Sequence, residues 1–190
     1  RLMNCDQDAK GRILLAVAEL LKEEPDIEKI TVRQIAERAG VGVGLISYHF
    51  GSKYNLLTEA IDRNVYSTVE DFISKTKGKH IEPIEKLKAM LKSMFNLMQS
   101  QRKTARFMLI QGIMKGEMRA TLYLVPLLKE LFKGQREDLD LRILALQIVE
   151  PIRIAIIDPV HFQLYSGIDM YDVEERNRFI DMLVDNVVKA

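Results

Sequence analysis

The sequence predicts an all-α chain, with a small three-helix unit at the N-terminus and a larger helical unit after it. Three observations carry that prediction. Apolar residues recur at spacings of three and four nearly throughout, the period of a helix with one buried face. No stretch alternates at period two for long enough to make a strand. A polar stretch at residues 74–82 interrupts the helical pattern and marks the best boundary.

At 190 residues the chain can hold a small domain beside a larger one and bury a core without disulfides or metals. With 47% hydrophobic and 29% charged residues it has the usage of a globular protein, not of a disordered or fibrous one. The net charge of +1 names no partner, so the distribution has to. Residues 29–55 carry four Lys/Arg against one Glu, and residues 75–103 carry eight against two; residues 134–190 carry six against eleven Asp/Glu. That places a polyanion site in the N-terminal half and away from the C-terminal end. Cys5 is the single cysteine, so no disulfide forms within the chain, which suits a reducing cytosol. The run Ile13–Ala18 is too short and wrongly flanked, by Asp6, Asp8 and Glu19, for a signal peptide. Gln147, Glu150, Pro151 and Arg153 interrupt Ile143–Ile157 and argue against a membrane span. A soluble cytoplasmic protein with no membrane partner is expected.

Ile13, Leu14, Val17, Ala18 and Leu21 share one helical face, and Pro25 ends that helix. Thr31-Val-Arg-Gln34 is a capping box, in which the Thr hydroxyl and the Gln side chain satisfy each other's backbone donors. Val32, Ile35, Ala36 and Ala39 then form one apolar stripe, and Gly40 closes a helix of about two turns. A third short helix is expected over about 43–50. Ser52 can cap the next, whose stripe runs Leu56, Leu57, Ala60, Ile61, Val65, Val69, Phe72 and Ile73. Pro83 suits a first helical turn and leads Leu87, Met90, Leu91, Met94, Phe95 and Met98. Further helices are expected at roughly 102–115, 117–133 and 137–157. The last of these is apolar on all sides around Leu144, Ile148 and Ile152, so more than one face must be covered. Residues 158–171, rich in Asp, Gly and Tyr, read as a loop. Asp172-Val-Glu-Glu175 resembles a capping box and opens the final helix. That helix has two apolar rows, Phe179/Leu183/Val187 and Ile180/Val184/Val188, one able to face the core and the other a partner. The domains are expected at 1–54 and 55–190, joined by the helix over about 53–74.

The stretch AGVGVGLISYHFGSKYNLL, residues 39–57, sets Gly40, Gly42 and Gly44 within five residues. A phosphate-cradling loop needs glycines at fixed spacing between a strand and a helix; here a helix precedes them and neither common spacing matches. The other reading is a tight joint between two short helices, the helix-turn-helix pattern, whose second helix enters the major groove of DNA. Ile46 and Phe50, four apart, anchor that helix inward with Val41 at the turn. Gly44, Ser47 and Tyr48 fall on the opposite side, with Leu45 at its edge. Such a surface lets the backbone come close to DNA, and a Ser can bond to base edges or phosphate. Tyr48 and His49 taken alone could equally pack on the first helix, and Lys53 alone is a solvated charge; their joint arrangement favours DNA.

From Thr31 to Leu57 the chain resembles the DNA-binding segment of tetracycline-repressor-type (TetR/AcrR) regulators. The shared features are the Thr-capped second helix with Ile-Ala, the Ala-Gly-Val turn, the His-Phe closing the recognition helix, and the Ser-Lys-x-x-Leu start of the fourth helix. The resemblance implies that Thr31 contacts phosphate and that Arg33 reaches bases or backbone. It implies that Val43, Gly44 and Leu45, following Gly42, lie at base-reading positions, and that His49 and Lys53 contact the DNA backbone. Lys53 also opens a helix, where the dipole favours a phosphate. Where the family commonly has Tyr this chain has Ser47, with Tyr48 one residue later, so either can take that contact. The family is also expected to supply the rest: a ligand-responsive repressor on a palindromic double-stranded operator, dimeric through its last two helices. Leu144, Ile148, Phe179, Leu183 and Val187 are the interface residues expected here. A helical ligand-binding or scaffolding protein with a non-functional head is the rival.

No other constellation carries chemistry. His49, His80 and His161 are scattered outside any metal spacing, and no Ser or Cys nucleophile has a recognisable partner. Neither a catalytic role nor a metal or cofactor is expected. Met90, Met94 and Met98 form a stripe beside Phe95, which is either core filling or the adaptable wall of a pocket. Met94, Met98, Phe107 and Gln111 are the expected pocket residues, around a mostly apolar effector. Arg106, Gln111, Gln147, Arg153 and His161 could orient such a ligand, and spacing singles out none of them.

Overall fold

The computed structural model describes residues 2–24, 26–76 and 80–189. Pro25 and residues 77–79 of the polar stretch lie outside the described residues, as do the side chains of Cys5, Asp6, Val65 and Ile73. Every regular element among the described residues is a helix: α1 (Leu2–Glu23), α2 (Val32–Ala39), α3 (Val43–Phe50), α4 (Lys53–Thr76), α5 (Pro83–Ser100), α6 (Arg102–Met114), α7 (Arg119–Leu122), α8 (Val125–Leu131), α9 (Asp138–Ile157), α10 (Pro159–Ser166) and α11 (Val173–Lys189). None of them is long and apolar enough to cross a membrane. They form two compact units, Arg1–Thr68 and Val69–Ala190, and the division falls inside α4.

The first unit is built on the predicted stripes. Ile13 and Val17 of α1, Ile35 of α2, Ile46 of α3 and Leu56 and Leu57 of α4 are all but inaccessible to water. Each such aliphatic side chain contributes about 1.5–3 kcal/mol on burial. The Thr31 cap forms as read: Gln34 N–H donates to the Thr31 hydroxyl at 3.2 Å, and Thr31 N–H donates to Gln34 Oε1 at 2.7 Å. Gly40 takes the left-handed conformation, φ 64°, and the Val41 N–H then closes back on the Ala36 carbonyl at 3.0 Å.

The second unit is arranged around α9, which packs against α5, α6, α7, α8, α10 and α11. Leu141, Ala145, Ile148 and Ala155 lose all contact with water, as expected of a helix apolar on more than one side. Two expectations over this region are corrected. The helix expected over 117–133 is two, α7 and α8, separated at Tyr123–Leu124; Pro126 in the first turn of α8 has no N–H to continue a helix from α7. The expected loop 158–171 contains α10. Asp158 accepts from the His161 N–H at 3.2 Å, Pro159 takes the first position and Gly167, φ 75°, ends the helix. The start of α11 is a variant of the expected box. Asp172 accepts from the N–H groups of Glu174 and Glu175, while the Glu175 carboxylate turns to the Asp169 N–H instead.

The basic excess over residues 75–103 has an internal use. Lys88 pairs with Asp185 at 2.8 Å, Lys92 with Asp181 at 2.6 Å and Lys86 with Glu130 at 3.0 Å. The bond to Asp185 holds the Lys88 amine above its ordinary range. Lys88 and Lys92 of α5 therefore meet acidic residues of α11, and Lys86 meets Glu130 of α8, so this part of the charge asymmetry is no sign of a nucleic acid.

Candidate functional site

Residues 31–53 assemble one surface on the first unit. The α2–α3 joint is three residues long, Gly40 to Gly42, and Gly40 turns the chain there in the left-handed conformation. Ile46 and Phe50 are buried and hold one side of α3 to the head core. The other side carries Val43, Gly44, Ser47 and Tyr48, all exposed, with Leu45 and His49 half-buried at its edges. A Cβ built on Gly44 meets no atom within 4 Å. The Tyr48 ring, 73% exposed, stands edge-on to His49 at 5.2 Å, and the Ser47 hydroxyl donates to the Val43 carbonyl at 3.4 Å. Ser47 and Tyr48 are therefore both offered on the outward face.

The flanking polar residues are also exposed or half-buried. Thr31 and Gly42 are exposed beside the N-termini of α2 and α3. Arg33, its side chain 85% exposed, is held by Glu37 one turn on at 3.2 Å, a pair weak enough to yield to a phosphate. Lys53 is half-buried at the start of α4, with Nζ donating to the Glu28 carbonyl at 3.4 Å. Burial pushes its amine below the ordinary lysine range, against the opposing pull of Glu28 and Asp26. Lys53→Ala is expected to weaken binding to every DNA sequence alike and to lower the salt slope by roughly one unit. Anisotropy titrations over a range of salt check this, and a changed sequence preference with an unchanged slope would give Lys53 another role.

Several side chains that orient this surface went unremarked in the sequence. Arg38 forks onto Glu23 with two bonds of 2.8 Å and approaches Glu19 at 3.5 Å. The pairing holds the Glu23 carboxyl below its ordinary range and the Arg38 guanidinium above its own. Arg12 donates to the Ala39 carbonyl at 3.3 Å, and Lys10 pairs with Glu59 at 2.7 Å. These contacts tie α1 to the C-terminus of α2 and to α4. Glu19 and Glu23, four apart on α1, were the visible signal. Arg38, one of the four basic residues of 29–55, is thus paired on the head's surface with Glu23 and Glu19.

In the second unit, Met94 and Met98 are half-buried on α5 and pack against the core. Phe107 and Gln111 are half-buried on α6, a helix that packs on both α5 and α9. The expected interface residues divide. Ile148 is fully buried in the unit's own core, and Leu144 and Phe179 nearly so, with Phe179 edge-on to Phe162 at 5.1 Å. Leu183 and Val187 are half-buried against that core and still reachable. The apolar side chains most open to water nearby are Leu139, Ile143 and Ile154 of α9, Val160, Leu164 and Tyr165 of α10, and Val173 and Met182 of α11. No cluster of three or more metal-ligating side chains occurs among the described residues.

Residues 13–60 match the family of bacterial regulatory proteins called tetR. Over 67 residues the chain is 34% identical to the HTH-type transcriptional regulator BetI 1 of Chromohalobacter salexigens, a match covering 35% of this chain and about a third, 33%, of that protein. Among solved structures it is similar to Thermus thermophilus FadR, a TetR-family transcriptional repressor in complex with lauroyl-CoA. The TM-score is 0.71 and the identity 16%, over 91% of this chain and 93% of the other. It is also similar to a TetR transcriptional regulator from Rhodococcus sp. RHA1, with TM-score 0.68 and 14% identity over 95% and 96% of the two chains. A third similar structure is the regulator FadR of Bacillus subtilis in complex with stearoyl-CoA, with TM-score 0.58 and 23% identity over 91% and 96%. At these identities the solved structures speak for the fold.

Proposed function

We propose that the chain, whose residues 13–60 match the tetR family of bacterial regulatory proteins, is a homodimeric repressor released from a palindromic operator by a small, mostly apolar effector. The observation that carries the reading is the bare face of α3. Gly44 leaves open space between Val43, Ser47 and Tyr48 on a helix whose other side Ile46 and Phe50 lock in place. A helix so presented can lie against base edges with its backbone close to the groove. Thr31, Arg33, His49 and Lys53 would meet phosphates around it, and Gly42, Val43, Gly44 and Leu45 the bases. Residues 1–54 would read DNA and residues 55–190 sense the effector and dimerise.

The effector is proposed to lie among Met94, Met98, Phe107 and Gln111. Met side chains adapt to apolar ligands, and the lauroyl-CoA and stearoyl-CoA bound to two similar structures suit a ligand with a long acyl chain. It need only bind the DNA-free state better to release the operator. Leu183, Val187 and the exposed apolar side chains of α9 and α10 would form the two-fold contact that pairs two heads with two half-sites.

Laurate added to a protein–DNA complex tests the sensing half. DNA release is expected for the wild type. Met94→Trp is expected to keep DNA binding, to need severalfold more ligand for release, and to report the ligand directly, since the chain has no other Trp. A fully responsive Met94→Trp with unchanged fluorescence would move the effector elsewhere.

A further inference from the structure

Arg153 stands on α9 between Ile152 and the aliphatic inward row, with only 5% of its surface exposed. A guanidinium in such a place is costly unless its donors are met. One terminal nitrogen donates to Glu150 Oε1 at 2.8 Å and to the Glu117 carbonyl at 3.5 Å. Its Nε is buried and has no partner. Across from it α6 carries Gly112, where a Cβ would already stand 3.4 Å from the other terminal nitrogen; a longer side chain there would take the space of the guanidinium. The arginine thus reaches the turn between α6 and α7 with one donor unspent. That turn is flanked by Met114, Met118 and Leu122, apolar side chains at least half exposed.

The two members of the ion pair are unequal. The Arg153 side chain is 6% exposed and that of Glu150 is 32% exposed. Glu150 can turn out to water, and Arg153 cannot. The second buried arginine of this unit differs. Its Nε is likewise buried without a partner, but Arg176 spends its terminal nitrogens on the Met170 carbonyl and Asn96 and its plane on the Phe95 ring, with no carboxylate in that set.

We infer that Arg153 anchors the carboxylate of an amphipathic effector. The incoming carboxylate accepts from Nε and the terminal nitrogen beside Gly112 together, the two-point geometry that arginine offers and lysine does not, while Glu150 keeps the other terminal nitrogen. The ligand's apolar chain runs from there along α6 to Phe107, Gln111, Met94 and Met98, with Met114 and Met118 at the entrance. This rests on the reading of residues 55–190 as a sensor, and narrows its ligand to an apolar chain ending in a carboxylate.

Calorimetric titration with decanoate and with 1-decanol tests the assignment on the whole protein. The wild type is expected to bind decanoate about tenfold tighter than the alcohol, the worth of a charge-assisted bond. Arg153→Met removes that preference and leaves the alcohol unchanged. Glu150→Gln, which removes the neighbouring negative charge, tightens decanoate severalfold and leaves the alcohol unchanged. Should Arg153→Met fold poorly with Glu150 left unpaired, the double variant Arg153→Met/Glu150→Gln gives the same comparison without either charge. No decanoate binding, equal affinity for acid and alcohol, or an acid preference that survives loss of Arg153 overturns the assignment. DNA release by another apolar compound, indifferent to Arg153, would overturn it while the sensor reading stands; a complex that no apolar compound releases would remove the sensor reading itself.

Discussion

Gly44→Glu is expected to abolish DNA binding while leaving folding and dimerisation as they are. The folding half of that expectation follows from the open space around Gly44. A Cβ there touches nothing within 4 Å, and its neighbours Val43, Ser47 and Tyr48 are exposed. A side chain added on this face leaves the contacts of Ile46 and Phe50 intact. A residue with a Cβ should in fact steady the first turn of α3, for alanine by at most about 0.5–1 kcal/mol. The binding half follows from charge and bulk. A carboxylate on the face that meets the groove stands among phosphates and holds the helix away from the base edges, so a loss of a hundredfold or more, about 3 kcal/mol, is expected. Gly44→Ala separates the two effects, since it adds volume without charge and should lose much less affinity. Thermal unfolding with anisotropy titration reads both quantities. A normally binding Gly44→Glu protein would mean that the bare face of α3 points away from DNA.

The second large effect is expected at Ile154. It is 56% exposed on α9, and Ile143 lies on the same stripe about three turns earlier. Glutamate at either position costs the single chain little. In a dimer closed over this stripe it buries an unpaired charge, a penalty of several kcal/mol. Ile154→Glu should therefore convert the dimer to a monomer at micromolar concentration in sedimentation velocity and weaken operator binding with it, because one head then reads one half-site. The same change at Leu183 or Val187 would be harder to interpret, since both already lean on the core. A wild-type protein that sediments as a monomer would remove the homodimer, and a dimer unmoved by both Ile143→Glu and Ile154→Glu would put its interface elsewhere.

The head was legible in the sequence nearly residue by residue because its signals are local. The Thr31–Gln34 box, Gly40 and the pair Ile46/Phe50 act within a turn or two of themselves, so reading them needed no knowledge of distant neighbours. α10 was missed although its signals were equally local. Asp158, Pro159 and Gly167 are a cap, a first-turn proline and a helix-ending glycine, and the polar look of residues 158–171 outweighed them. Elsewhere the obstacle was physical. Periodicity tells which face of a helix is apolar and leaves open what covers it, so Ile148 and Phe179 could be placed on a partner-facing row although the unit's own core takes them. Net charge along the chain likewise says nothing about pairing across the fold, and the lysines of α5 pointed toward a polyanion until α8 and α11 met them. Arg153 was one of five polar candidates of equal standing; only packing against Gly112 and the unpaired Nε distinguish it.

Selection of DNA by the purified protein from a random-sequence pool, followed by titration of the enriched sequence over a range of salt, tests the central claim most directly. A working dimer of these heads should enrich an inverted repeat with half-site centres about one helical turn or a multiple of it apart, and its affinity should fall steeply as salt rises. A pool that emerges unenriched, with weak retention indifferent to salt, would show that the head no longer reads DNA and that the helical domain serves some other purpose.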